Sequence, residues 1–122
     1  MLLSGSTTRL AIFTAALALT AAASGSSNPT TPSSPADVTI SIVGDRASQS
    51  FSPNPATVRV GQTVAWMNND TMAHDATQDS SRFATGTLNA GATSAPLMMS
   101  TAGTFTYHCT IHPDMVASIT VQ

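Results

Sequence analysis

The chain has 122 residues, a formal charge of −2 from six acidic and four basic residues, and a single cysteine. That length suits one domain, and the lone thiol excludes an internal disulfide. Lysine and glutamate are absent, so no basic patch exists to neutralise phosphates, which excludes a nucleic-acid partner.

From the N-terminus, Met1 to Arg9 carries one positive charge, Leu10 to Leu19 is apolar, and Ala21, Ala22 and Ala23 follow. This is the order of an export signal: charged, apolar, then small residues for cleavage. The apolar run falls short of the roughly 20 residues that a spanning helix needs. Residues 1–23 are therefore expected to be a signal peptide, and the protein to be periplasmic or extracellular. Left uncleaved, the same segment would tether the domain to a membrane. Residues 24–35 are rich in Ser, Thr, Pro and Asn and read as a flexible linker with little to bury. The folded domain is expected at residues 36–122, enough for a β-sandwich with a thin core.

Within that domain, Val38 to Val43 alternates apolar and polar residues, the period of a half-buried strand. Phe51 to Pro55 contains two prolines and is excluded from a central strand. Thr57 to Val60 and Thr63 to Met67 alternate again, and the Gly61-Gln62 step between them predicts a hairpin. Asn68 to Ala73 is a loop rich in turn formers that delivers His74. Asp75 to Ala84 is polar and weakly periodic, an irregular segment or a short strand. Thr93 to Ser100 reads as a strand placed at an edge or bulge by Pro96. Thr104 to Cys109 and Val116 to Val121 are the last two strands. Short strands separated by turn signals, with no helical period after the N-terminal segment, define an all-β sandwich or barrel of about 7–8 strands.

The chemistry concentrates near the C-terminus, where Cys109, His112 and Met115 follow at three-residue intervals. Thiolate and thioether are soft donors that favour Cu(I), and imidazole suits copper in either state. In Thr104 to Thr110, strand alternation puts Cys109 on the face of Phe105 and Tyr107, the obvious core residues, and turns His108 away. His108 is thus read as a surface or partner-facing histidine. One short loop cannot enclose a metal, so His74 is expected to complete the set. Two histidines, a cysteine and a weak axial methionine are the requirement of a blue copper site, and His74, Cys109, His112 and Met115 meet it. Each alone has a plainer reading: Cys109 as a small core residue, His74 as an exposed loop residue, His112 as a strand terminus, Met115 as core filling.

The segment from Gly103 to Met115 resembles the copper loop of the cupredoxin (type 1 copper protein) family, with the short Cys-to-Met spacing of its amicyanin-like members. Upstream, Phe51-Ser-Pro53, the run Val60 to Trp66, Asn68-Asn-Asp70 and His74 are similar to further family motifs in the same order. The resemblance covers about Val38 to Gln122. It implies a mixed, Greek-key β-sandwich, one copper ion, and single-electron transfer between redox partner proteins by a monomer that is not an enzyme. It also implies that His112 is the electron port, with Met72, Ala73, Pro113 and Pro53 as an apolar patch for transient docking. Copper storage or delivery with the same donors is the alternative. Two residues depart from the family pattern. Ala73 replaces a common proline before the first histidine, which implies a looser loop. Asp75 replaces a common asparagine, and the resemblance implies that it ties the two metal loops together by accepting a hydrogen bond from Thr110.

Overall fold

The computed structural model describes residues 34–122. The expected signal peptide, and all but the last two residues of the expected linker, lie outside this range. Among the described residues eight strands form: β1 (Val38–Ile42), β2 (Phe51–Ser52), β3 (Ala56–Val58), β4 (Thr63–Asn68), β5 (Thr77–Gln78), β6 (Leu97–Met98), β7 (Gly103–His108) and β8 (Val116–Val121). They make two four-stranded sheets, ordered β2-β1-β4-β6 and β3-β8-β7-β5. β1 runs parallel to β4 and β3 parallel to β8, while the other pairings are antiparallel. The all-β mixed sandwich is therefore the one anticipated.

Side-chain alternation explains how the sheets face each other. Ile40, Ile42, Val64 and Trp66 line the inner face of the first sheet, and Val58, Tyr107, Cys109, Ile119 and Val121 that of the second; all are buried. Tyr107 sits at the centre, edge-on to Phe51 at 4.9 Å and to Trp66 at 5.6 Å between ring centroids. Burying an aromatic or branched side chain contributes roughly 1.5–3 kcal/mol. This cluster is what brings together strands far apart in sequence. Burial also pushes the Tyr107 hydroxyl well above its ordinary pKa.

The hairpin expected around Gly61-Gln62 does not form. β3 pairs with β8 in the second sheet, while β4 joins β1 and β6 in the first. The Arg59–Gln62 turn exists, closed by Gln62 N–H donating to the Arg59 carbonyl at 3.0 Å, but it carries the chain from one sheet to the other. Pairing with β8 buries Val58, and the turn leaves Val60 exposed. Pro96 behaves as read: β6 is two residues long at a sheet edge, and Thr93 makes only an isolated bridge with Met67.

The parallel register sets Ile42 beside Asn68. In the second sheet His108 pairs with Val116, so residues 109–115 loop out between β7 and β8. The loops that follow β4 and β7 meet at one end of the sandwich.

Candidate metal centre

The loop after β4 is held from within by Asn68. This buried side chain donates its amide to the Met72 carbonyl at 2.7 Å and the Leu88 carbonyl at 2.9 Å, and its oxygen accepts the Asp70 N–H at 2.9 Å. Beyond the turn, His74 and Leu88 exchange two backbone hydrogen bonds of 3.1 and 2.7 Å. These ties hold the loop with Ala73 at the position before the histidine. They also place His74 in the interior with no exposed surface.

The loop after β7 is built differently. Cys109 N–H donates to the Met115 carbonyl at 3.0 Å, and Met115 N–H to the His112 carbonyl at 2.9 Å. The chain thus folds back on itself within seven residues. Cys109 and Met115 are fully buried in the core cluster, while Ile111, Pro113 and Asp114 are exposed and His112 lies between. His108 faces away from the core, as alternation requires, and its Nδ1 lies 2.7 Å from Asp79.

The two loops bring three donors together. Cys109 Sγ is 3.9 Å from Nδ1 of His74 and 3.9 Å from Nδ1 of His112, and the two Nδ1 atoms are 3.2 Å apart. A first-row metal ion such as zinc bonds nitrogen at about 2.0–2.1 Å and thiolate at about 2.3 Å. Donors at these separations are spaced like neighbours on one ion. The set suits copper: one thiolate for the reduced state and two imidazoles acceptable to both states. Without metal, burial pushes the Cys109 thiol up, against backbone donors including Asp75 N–H at 3.4 Å, which favour the thiolate.

Asp75 joins the loops. Its Oδ1 accepts Thr110 N–H at 2.5 Å, and its Oδ2 accepts the Thr110 hydroxyl at 2.8 Å and the Thr77 hydroxyl at 3.0 Å. Burial works to raise its pKa, but the donors on Thr110, Cys109 and Thr77 together outweigh it and hold the carboxyl below its ordinary range.

Two contacts escaped the sequence reading. Thr77 was read only as part of a polar stretch, and its signal was a hydroxyl two residues after Asp75. Asp70 was noted in a motif without a role; its Oδ2 lies 2.7 Å from Nε2 of His74. That hydrogen bond is the main cause of a lowered Asp70 pKa. The available signal was an acidic residue four positions before a candidate ligand.

A mixed β-sandwich with two histidines and a cysteine converging at one end defines a mononuclear metal protein of the cupredoxin class. Residues 38–122 match the family of copper binding proteins described as plastocyanin/azurin, and the chain belongs to that family. It is 33% identical over 90 residues to amicyanin from Paracoccus denitrificans, covering 66% of this chain and 65% of that protein. It is 33% identical over 98 residues to plastocyanin from Scenedesmus fuscus, covering 70% of this chain and all of that protein (100%). Among solved structures, a purple cupredoxin from Nitrosopumilus maritimus superposes with a TM-score of 0.64 at 27% identity, over 70% of this chain and 100% of that one. The match thus spans just under two thirds of the amicyanin and the whole of the other two.

Proposed function

We propose that the protein is a small type 1 copper electron-transfer protein, in which His74, Cys109 and His112 would hold the copper and Met115 would be a further, weaker ligand. The observation that carries this reading is the triangle of thiol and imidazole donors, one histidine buried and the other reaching the surface. Copper held there supplies one-electron chemistry, alternating between Cu(I) and Cu(II).

The chain's own residues supply the rest. Asn68 and Leu88 keep His74 in place, and Asp75 holds the Cys109 loop against it. The aromatic and aliphatic core below the site excludes water. His112 is the ligand nearest solvent and the natural port for an electron. Met72, Ile111 and Pro113 are exposed and Ala73 half-exposed; Met72 and Ala73 precede His74, and Ile111 and Pro113 flank His112. They offer a small apolar surface to a redox partner, a size suited to transient docking. Pro53 is also exposed, but it stands beside β2 and is not needed for that surface.

The export signal expected at residues 1–23 and the tether expected after it are compatible with this reading. Among the described residues, no helix is long and apolar enough to cross a membrane. N-terminal sequencing of the exported protein would show whether cleavage falls near Ala23.

The central test is an absorption and redox titration of the copper-loaded domain, residues 36–122. The oxidised protein should be intensely coloured by thiolate charge transfer, bleach on reduction and recover on oxidation. Absence of that band would overturn the reading. Rapid loss of copper to a competing chelator would point to delivery instead.

A further inference from the structure

Asp70 is fixed more firmly than an exposed loop aspartate needs to be. One oxygen, Oδ2, faces Nε2 of His74 at 2.7 Å, and the other accepts Thr71 N–H at 2.8 Å. Its own N–H is bound by Asn68, and its side chain is only 23% exposed. Gly44 packs against it with a φ of +118°, a conformation that side chains rarely adopt, and a β-carbon there would stand 3.5 Å from Oδ2. Among the described residues no lysine or arginine pairs with this carboxylate; its partner is the imidazole.

A neutral imidazole has a single N–H to place. With a carboxylate at Nε2 the proton stays on that nitrogen, and Nδ1 is left with a free lone pair. Nδ1 is the atom that faces Cys109 Sγ and Nδ1 of His112. A carboxylate behind a ligating histidine fixes ring orientation and raises the basicity of the bonding nitrogen. Its negative charge also acts on the ion through the ring, and it favours the more positive oxidation state.

We propose that Asp70 is a positioning residue of the metal centre: it presents Nδ1 of His74 to the ion and biases that ion towards its oxidised state. This rests on the copper reading above. The two ligand histidines then differ in kind, His74 being backed by a carboxylate and His112 facing solvent.

Two variants separate the effects. Asp70→Asn keeps the shape and an acceptor oxygen but removes the charge. Asp70→Ala removes both. Asp70→Asn should retain the absorption band of the oxidised protein while its reduction potential rises, by about 59 mV for each tenfold loss of preference for Cu(II). Asp70→Ala should also lower copper affinity by about 10–100-fold. In metal-free protein, imidazole nitrogen NMR should show His74 as a single Nε2–H form in the wild type and as a tautomer mixture in Asp70→Ala. Unchanged potentials in both variants, or a His74 that keeps its single form in Asp70→Ala, would overturn the proposal. A wild-type protein lacking the charge-transfer band would defeat the copper reading itself, and the metal-free NMR comparison would still report on Asp70 and His74.

Discussion

Both loops at the metal end carry a histidine, yet they are held by different means. The loop after β4 is anchored to the sandwich through the Asn68 amide and the His74–Leu88 pair, and its histidine is buried. The loop after β7 closes mostly on itself and meets its neighbour through Asp75, and its histidine reaches solvent. One loop behaves as an extension of the core and the other as a cap laid over it. Stability and access are thereby assigned to different segments. A histidine can be open to a partner without loosening the interior because the other one carries the packing.

The sharpest test of this contrast is to remove each histidine in turn from the metal-free protein. His74→Ala opens a hole in the interior and leaves Asp70 without its partner, so urea unfolding should show a loss of about 2–4 kcal/mol. His112→Ala should stay within about 0.5 kcal/mol of the wild type. Equal losses would break the distinction between core and cap. Next in size is Asn68→Ala, which strips the Met72 carbonyl and the Asp70 N–H of partners. It should cost about 2–3 kcal/mol in the same measurement.

Asp75→Asn probes the tie between the loops. The amide preserves the shape and can still accept from Thr110, so stability should change by less than about 1 kcal/mol. Loss of the negative charge beside the thiolate should raise the reduction potential. A potential that stays fixed or falls would show that Asp75 is only a mechanical link.

The smallest effect is expected at Asp37, which precedes β1, at the end of the sandwich away from the metal. Its carboxylate accepts the Thr63 N–H at 2.8 Å and the Thr63 hydroxyl at 3.0 Å. The backbone hydrogen bond is the larger cause of its lowered pKa. A folded-state pKa below the unfolded value means that the bond stabilises above about pH 3.8 and is lost as pH falls through the folded value. Asp37→Asn should therefore flatten the acid limb of stability against pH slightly, with no change in reduction potential. A shift in potential would mean that the two ends of the sandwich are coupled.

Much of this was legible in the sequence, for physical reasons. β1, β7 and β8 alternate because one face of each is buried, and β4 does so apart from the buried Ala65, so Val38, Thr63, Thr104 and Val116 mark their starts to within a residue. The same alternation turned Cys109 inward and His108 outward. Partner choice was not legible at Gly61-Gln62, because a turn has the same composition whether it joins neighbours or crosses between sheets. Only the burial of Val58 against β8 decides it. The His74–Asp70 contact was hidden for a related reason. Four positions in a loop fix no direction, and it is the hydrogen bonds from Asp70 N–H to Asn68 and from Thr71 N–H to the carboxylate that aim it.

The pairing of β3 with β8 has a consequence in time. Val58 lies beside Val121, so the second sheet cannot close until two segments far apart in sequence have met. Such non-local pairing folds on the scale of milliseconds to seconds. His74 and Cys109, which belong to loops after strands of different sheets, meet only once those sheets have docked. Before that, the donors remain scattered on an open chain. The triangle of donors is thus a signature of completed folding, and tight copper uptake should trail the burial of Trp66 in any refolding experiment that follows both.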